Sequence, residues 1–248
     1  MAFIKARGLT VEFPVYGFTS HRSLKKSLLN VATGGILAKD ASNHVVVRAL
    51  DELDFEFHDG DRVGLIGHNG SGKTTLLQVL AGIYEPIRGE LKVQGKIASM
   101  LGISLGMDGD VTGLENIYLR GRLLGFSRAR MDSMVEDIAE FAGLGDYLHL
   151  PLRTYSSGMA MRLAFSVMTS TPADIILMDE WLSVGDAEFV EKAQVRLRQL
   201  VNQARIVVIA SHDLAMIQHQ CNVILNLEHG KIVKSERKAE AFNLESKQ

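Results

Sequence analysis

Hydrophobic and polar positions follow two different patterns along this chain. Over residues 4–13 and 53–57, apolar and polar residues alternate, which predicts half-buried antiparallel strands. Residues 175–178 and Ile206–Ala210 are instead continuous apolar runs, which are typical of central strands covered on both faces. The chain is therefore predicted to combine an antiparallel N-terminal β-subdomain with a mainly parallel sheet in an α/β fold.

A helix-rich stretch separates these two groups of strands. Residues 113–117 open one predicted helix, and residues 131–141 form another whose apolar face contains Met134, Ile138 and Phe141. The pattern predicts a helical subdomain inserted into the α/β core at about 105–170.

The last part of the chain predicts a hairpin followed by a tail. Residues 223–227 and 231–233 are apolar and flank a Glu-His-Gly turn at 228–230, which is typical of two paired strands. From about residue 235 to residue 248 the chain is polar, and a loose tail is expected there.

Composition excludes several classes of protein. The 248 residues fit one large α/β domain, with or without a small subdomain. The formal net charge is −2, so no overall basic field favours nucleic acid as a partner. The single cysteine, Cys221, permits no intrachain disulfide, which favours a reducing compartment, and it is interpreted as a small buried apolar residue. Charges at Lys5 and Arg7 interrupt the start before any signal-like apolar run forms, so a soluble chain is expected.

One short motif predicts a phosphate-binding loop. Residues 67–75 fit the pattern G-x-x-x-x-G-K-[ST] between a strand-like run and a helical run, and they comprise Gly67, His68, Asn69, Gly70, Ser71, Gly72, Lys73, Thr74 and Thr75. The glycines let backbone N–H groups point at phosphate oxygens, aided by the positive end of the following helix. Lys73 is expected to reach the β- and γ-phosphates, and Thr74 to ligate Mg²⁺.

Two carboxylates form a second candidate site. Asp179 and Glu180 end the buried run at 175–178, and the carboxyl ends of strands are where α/β sheets place their ligands. Asp179 is predicted to hold Mg²⁺ through water. Glu180 is predicted to orient or deprotonate the water that attacks the γ-phosphate.

Residues 155–159, Tyr-Ser-Ser-Gly-Met, precede an amphipathic helix at 160–168. With the motifs above, they make the chain resemble the nucleotide-binding subunits of ABC transporters, whose signature loop usually reads Leu-Ser-Gly-Gly-Gln. The resemblance implies that Ser156 and Gly158 contact the γ-phosphate held by the opposite subunit, which suits a helix N-terminus. Ser157 is included among the candidate nucleotide-binding residues, although it and Met159 depart from the consensus.

The remaining family motifs occur in the expected order. Val-Gly-Asp at 184–186 matches the loop that follows the catalytic Glu, which implies that Asp186 contributes across the subunit boundary. His212, just after Ile206–Ala210, matches the switch histidine that contacts the γ-phosphate. The resemblance therefore implies a P-loop NTPase of ABC type with a RecA-like core, working as a homodimer that encloses two ATP molecules and Mg²⁺.

One family residue is missing. The Gln that normally follows the phosphate-loop lobe is absent, because no glutamine occurs between Gln94 and Gln194. Residues 101–107, Leu-Gly-Ile-Ser-Leu-Gly-Met, take its place, which leaves open which residue senses the γ-phosphate on that side. Together with residues 155–159 and 184–186, this segment is similar to one branch of the family, the exporters of lipid-linked polysaccharide such as O-antigen.

The N-terminal region leaves two alternatives open. Phe13 or Tyr16 is a candidate to stack on adenine, and each is equally plausible as a packing residue. Within an insertion at 17–44, apolar residues at 24, 28 and 31 fall on one helical face, with basic residues elsewhere. By resemblance this segment is a gate helix beside a lipid headgroup, and the alternative is a surface excursion.

Together the motifs imply the ATPase subunit of a polysaccharide exporter. The resemblance implies a peripheral location at the cytoplasmic face of the inner membrane, beneath two copies of a separate permease, with a polyprenyl-pyrophosphate-linked glycan as substrate. A capsule or teichoic acid exporter and a soluble ABC ATPase are the alternatives. A C-terminal glycan-binding domain is not expected in 248 residues, and the sequence does not identify the sugar.

Overall fold

The computed structural model describes residues 1–15, 36–39, 45–103, 106–180 and 187–238. The chain divides into two compact units. The first comprises Met1–Leu101, Asp174–Trp181 and Arg205–Gln248, and the second comprises Gly102–Ala173 and Leu182–Ala204. The predicted gate helix, Tyr16 and Asp186 lie outside the described residues.

Both sheets belong to the first unit. Their strands are β1 (Phe3–Pro14), β2 (Ile36–Lys39), β3 (Val45–His58), β4 (Arg62–Ile66), β5 (Arg88–Gln94), β6 (Ile97–Ser99), β7 (Ile175–Asp179), β8 (Ile206–Ala210), β9 (Val223–Glu228) and β10 (Lys231–Arg237). The helices of the described chain are α1 (Lys73–Leu80), α2 (Gly113–Leu123), α3 (Arg128–Asp132), α4 (Val135–Ala142), α5 (Ser157–Met168), α6 (Ala187–Gln203) and α7 (Leu214–Gln220).

The antiparallel sheet has the strand order β2-β3-β1-β5. The alternation predicted along β1 is confirmed, because Ile4 and Ala6 are buried while Lys5 and Arg7 are more exposed. On β3, Leu53 and Phe57 point into the same core, and Asp54 between them is exposed. Of the predicted insertion at 17–44, the structure describes only Ile36–Lys39, the strand that pairs with β3.

The second sheet has the order β10-β9-β4-β8-β7-β6, in which all neighbours except β9 and β10 run parallel. Every residue of β8 is buried, as are the first four of β7, so the continuous apolar runs are central strands, as predicted. Helix α1 packs on the sheet through Leu76 and Leu77, which are fully buried. Because neighbouring parallel strands end at one edge, β4, β7 and β8 bring their carboxyl ends together.

The C-terminal hairpin extends further than the sequence predicts. Strand β10 continues to Arg237, beyond residue 235 where the polar tail was expected to begin. The Arg237 guanidinium forms two bonds to the nearly buried Asp61 carboxylate, at 2.6 and 3.1 Å, which explains why a polar strand remains paired. Residues 239–248 lie outside the described part of the chain.

The second unit is helical, as predicted. Thr112 and Glu115 form a reciprocal capping box at the start of α2. The single helix expected at 131–141 is wrong in detail, because α3 ends at Asp132 and α4 begins at Val135, with a turn at Ser133 whose hydroxyl bonds the Arg130 carbonyl.

Helix α6 also belongs to the second unit, whereas the predicted subdomain ends at about 170. Phe189 of α6 packs edge-on against Phe141 and Phe165, with ring centroids 5.5 and 6.0 Å apart, which joins α6 to α4 and α5. In the described ranges, no helix has both the length and the apolar character needed to cross a membrane.

Candidate functional site

The predicted phosphate loop lies between β4 and α1 and is shaped by glycines. Gly67 has φ 148°, and a β-carbon there would lie 2.2 Å from the Leu227 carbonyl oxygen. Gly72, which caps α1, has φ 107°, and a β-carbon there would lie 2.8 Å from the Ala49 carbonyl oxygen. Both positions therefore require glycine, since the backbone is left-handed and the neighbouring backbone is too close for a side chain.

Lys73 is held across the loop by the loop's own backbone. Its ammonium donates to the carbonyl oxygens of Gly67 at 2.7 Å and His68 at 3.1 Å. The residue is buried, and this burial lowers the pKa of Lys73, while the charges of Asp179 and Glu180 oppose that shift. A cation in this position is placed to meet phosphate oxygens entering the loop.

Ser71 also indicates a site for a polar ligand. Its side chain is buried, and within the described chain its hydroxyl has no hydrogen-bond partner. A buried hydroxyl without a partner costs free energy, about 1–3 kcal/mol. A ligand oxygen in the loop would satisfy it.

The two predicted metal ligands are brought together. The Thr74 hydroxyl at the start of α1 donates to Asp179 Oδ2 at the end of β7, at 2.7 Å. The parallel pairing of β7 with β8 fixes Asp179 opposite Ala210, at the carboxyl edge of the sheet. A hydroxyl and a carboxylate are hard oxygen donors of the kind that Mg²⁺ prefers, so this pair fits the metal.

Glu180 and His212 lie next to this pair on adjacent strand ends. Glu180 Oε1 is 3.9 Å from His212 Nε2, and both side chains are more than half exposed. Glu180 has φ 68°, a left-handed conformation that is unusual for a residue other than glycine, and its N–H donates to the Ala210 carbonyl. Non-glycine residues in such conformations concentrate at functional sites.

The turn that carries His212 is fixed on both sides. The Asp213 N–H donates to Ser211 Oγ at 3.1 Å, and Asp213 Oδ1 accepts from the Met216 N–H at 2.9 Å to cap α7. These bonds orient the backbone on which the exposed imidazole stands.

Several of these residues border a cleft of about 300 Å³ in the first unit. The cleft is lined by Phe13, Val47, Ala49, Asn69, Gly70, Gly72, Lys73, Thr74, Thr75, Asp179 and His212. Phe13 lines the cleft and also packs edge-on against Tyr84, at 5.1 Å between ring centroids. Its position therefore fits both roles considered for it, stacking on adenine and packing. We call Phe13, Val47 and Ala49 the base wall. Sequence reasoning missed Val47 and Ala49, although Val47 is the direct cross-strand partner of Phe13.

The predicted signature loop, residues 155–159, lies in the second unit. Ser156 is the N-cap of α5, and its hydroxyl accepts from the Met159 N–H at 3.2 Å. Ser156 and Ser157 are exposed, and Gly158 is half-buried in the first turn. The loop is therefore an exposed helix start with one of its first N–H groups capped by Ser156.

The segment that replaces the missing glutamine, residues 101–107, is held by α2. The buried Arg120 guanidinium donates to the Ile103 carbonyl oxygen, and burial lowers the pKa of Arg120. One turn earlier, the Asn116 amide bonds both the N–H and the carbonyl of Asp108, at 2.8 and 2.9 Å. Residues 104 and 105 of this segment lie outside the described ranges.

Comparison with known families and relatives agrees with this geometry. A family model described as "ABC transporter" matches residues 50–183. The O-antigen export system ATP-binding protein RfbE of Yersinia enterocolitica is 46% identical over 226 residues, which cover 91% of this chain and 94% of that protein.

Two further relatives are longer than the matched region. The O-antigen export system ATP-binding protein RfbB of Myxococcus xanthus is 36% identical over 86% of this chain. The teichoic acids export ATP-binding protein TagH of Lactococcus lactis is 34% identical over 92% of this chain. The match spans 48% and 47% of their lengths, so the chain covers about half of each.

Among solved structures, a dimeric ATP-binding cassette in a post-hydrolysis state, bound to ADP and Pi, superimposes with a TM-score of 0.67. The superposition covers 96% of this chain and 99% of the other at 18% identity. At that identity the likeness establishes the fold, which is that of an ATP-binding cassette.

Proposed function

The chain belongs to the ABC transporter family, and from this premise we propose that it is the ATPase subunit of an exporter of lipid-linked polysaccharide such as O-antigen. The observation that carries the proposal is the joining of Thr74 to Asp179 beside the buried Lys73, at the sheet edge where Glu180 and His212 emerge. Hydroxyl, carboxylate and ammonium groups together provide what transfer of a phosphoryl group to water requires: positioning and neutralisation of charge.

In this proposal the phosphate loop binds the triphosphate of ATP. Backbone N–H groups at the start of α1 and the Lys73 ammonium face its oxygens, and the Ser71 hydroxyl gains a partner. Thr74 and Asp179 would hold Mg²⁺, which supplies positive charge against the phosphates when bound. The base wall contacts the adenine, with Phe13 stacking on the ring.

Glu180 is the proposed general base. Its exposed carboxylate stands at the end of β7, next to Asp179, where it can accept a proton from a water molecule aligned with the γ-phosphate. His212, with Nε2 3.9 Å from that carboxylate, is placed to donate a hydrogen bond to the γ-phosphate and to orient the same water.

A second copy of the chain completes the site in this proposal. The exposed Ser156 and Ser157 and the half-buried Gly158 lie at a helix N-terminus of the second unit, and such a terminus favours an anion. We infer that the γ-phosphate of the partner copy is this anion, and that Asp186 crosses to the partner in the same way. The dimeric cassette with ADP and Pi supports this arrangement by analogy of fold.

We further infer that the homodimer acts beneath two copies of a separate membrane permease, at the cytoplasmic face of the inner membrane. The 46% identity with the Yersinia export protein over nearly its whole length supports O-antigen as the class of cargo. Teichoic acid is the second candidate, because TagH of Listeria innocua is 38% identical over 74% of this chain. The segment around residues 20–31, outside the described ranges, stays a predicted gate element.

The proposal is tested by removing the chain from its host and restoring it as wild type or as Glu180→Gln. Loss of surface polysaccharide with intracellular accumulation of its lipid-linked precursor is expected, and only wild type should restore export. Normal surface polysaccharide without the chain, or purification as a lone ATPase unaffected by glycan lipid, would contradict a role in transport.

A further inference from the structure

Strand β3 carries one extra residue opposite β1, next to the cleft. Val11 pairs with Leu50, but the following residue, Glu12, pairs with Arg48, so Ala49 has no partner of its own. This is a β-bulge, a feature that redirects side chains and is frequent beside active sites. Here it places Ala49 in the base wall.

The backbone of the bulge packs against the phosphate loop. The Ala49 carbonyl oxygen lies so close to Gly72 and Gly230 that a β-carbon on either would come within 2.8 and 2.6 Å. Gly230, in the turn between β9 and β10, donates its N–H to the Ser71 carbonyl and accepts from the Asp51 N–H, at 3.0 and 2.8 Å. The bulge therefore contacts both the phosphate loop and this turn, and the turn is bonded to the phosphate loop as well.

One arginine bridges the two sides of the bulge. Arg48 Nε donates to Glu12 Oε1 at 2.8 Å, and Arg48 Nη1 donates to Asp51 Oδ1 at 3.2 Å. The two carboxylates are only 6% and 11% exposed. The hydrogen bond with Glu12, with further help from Asp51, raises the pKa of Arg48 above its ordinary value. Arg48 thus contacts both acids, Glu12 opposite it on β1 and Asp51 beyond Ala49 on β3.

The ion pair between Glu12 and Arg48 lies next to the base wall, one residue away along each strand. Glu12 and Arg48 are direct cross-strand partners, and the next pair along is Phe13 with Val47. Since successive side chains alternate between faces, the charged pair lies behind the wall that Phe13 and Val47 present to the cleft.

We propose that Arg48 is a positioning residue for the nucleotide base: by bracing the bulge between Glu12 and Asp51, it sets the spacing between the base wall and the phosphate loop. The inference rests on ATP being the ligand of the cleft. Removing the guanidinium takes away the cation that contacts both nearly buried carboxylates, so we expect the two carboxylates to move towards water and the backbone at Ala49 to shift with them. The phosphate loop keeps its own contacts through Lys73 and Thr74.

The test compares two ligands in the full chain. ATP uses both ends of the cleft, whereas inorganic tripolyphosphate uses only the phosphate end. For Arg48→Met we expect the KM for ATP to rise about 5-fold or more, with kcat changed by less than about 2-fold and the inhibition constant of tripolyphosphate unchanged. Arg48→Lys, which keeps the charge but not the two-sided fork, should recover part of the loss.

Two neighbouring cations supply matched controls. Arg88 also contacts Glu12, at 3.2 Å, and Lys231 contacts Asp51, at 3.2 Å, but each is more than half exposed and neither spans the bulge. Arg88→Met and Lys231→Met should leave the ratio of ATP to tripolyphosphate affinity within about 2-fold of wild type.

The outcomes are separable. A wild-type chain that neither binds nor hydrolyses ATP would defeat the proposed function. Suppose instead that the wild-type chain binds and hydrolyses ATP. If the affinities of Arg48→Met for ATP and tripolyphosphate are then unchanged or fall equally, the positioning role alone is overturned. If Arg48→Met does not fold, the ratio of ATP to tripolyphosphate affinity is measured for Arg48→Lys and Glu12→Gln instead. A ratio equal to that of wild type in both variants overturns the inference.

Discussion

The phosphate loop of the first unit and the signature loop of the second hold their polar groups in opposite ways. In the phosphate loop, Lys73 is buried and bonded to two carbonyls, and Thr74 is bonded to Asp179. In the signature loop, Ser156 and Ser157 are exposed, and the Ser156 hydroxyl makes the local helix cap by accepting from the Met159 N–H. The polar groups of the phosphate loop are held by bonds to residues of the same unit, whereas those of the signature loop are exposed at a helix start, which suits the anion contact proposed for it.

This difference implies that substitutions of the bonded groups around the phosphate loop abolish turnover, whereas substitutions in the signature loop reduce turnover only several-fold. The largest effect is expected at Glu180. Glu180→Gln removes the proton acceptor but keeps the shape, so kcat should fall by about 10²–10⁴-fold while ATP binding persists and a closed dimer accumulates. Phosphate release and gel filtration with ATP measure the two effects.

Glu90→Gln, an exposed carboxylate on β5, is the matched control and should hydrolyse ATP normally. Near-normal turnover by Glu180→Gln would remove Glu180 from the role of base.

At Lys73 we expect the next largest effect. Lys73→Met preserves most of the buried volume but removes the cation that faces the phosphates, so turnover should fall on the order of 10²–10³-fold. ATP affinity should fall as well, which separates this variant from Glu180→Gln. Titration of binding by calorimetry checks it, with the exposed Lys92→Met as control. Full affinity in Lys73→Met would mean that the loop backbone alone holds the triphosphate.

A smaller effect is expected at the signature loop. Ser156→Ala deletes the cap of α5, which should lower the free energy of unfolding by about 1 kcal/mol. Turnover should fall only several-fold, because the helix N-terminus remains available to an anion. Urea unfolding and steady-state hydrolysis measure the two quantities.

Ser157→Ala is the paired control, because Ser157 is equally exposed but is not the cap. Equal losses of stability in both variants would contradict the capping role of Ser156.

The smallest effect is expected for ionisation and alkylation of Cys221, whose sulfur lies beside Gly64 of β4. Burial raises the pKa of its thiol to about 12 from an ordinary value of 9.0. The folded protein therefore holds this proton more tightly than the unfolded chain, so stability should fall as pH rises from about 9 towards 12. At pH 8, alkylation by iodoacetamide should be slow in the folded protein and fast in urea. Rapid labelling of the native protein would indicate that the helix α7 side of the sheet opens readily.

Local patterns in the sequence predicted much of this structure. The phosphate loop, the buried strands β7 and β8, and the hairpin after β9 each follow from residues adjacent along the chain. The family resemblance, confirmed by the relatives, added the order of the motifs. Of the base wall, only Phe13 was identified in this way, as one of two candidates, whereas Val47 and Ala49 were missed.

The reason is that its features depend on pairing between distant residues. The bulge at Ala49 appears only when β1 and β3 are placed in register, and Glu12 and Arg48 are 36 positions apart. Likewise, Arg237 keeps β10 paired through Asp61, a partner 176 positions away. Alternation and propensity describe one strand at a time, and they contain no information about which charged residue of another strand will lie opposite.

The left-handed backbone of Glu180 has a consequence for how this position can change. An acidic residue at φ 68° costs on the order of 1–2 kcal/mol that glycine would not. Glu180→Gly should therefore raise the melting temperature of the protein while removing its turnover. The residue on which hydrolysis is proposed to depend is kept against the preference of its own backbone, so selection for thermal stability and selection for activity pull this position in opposite directions.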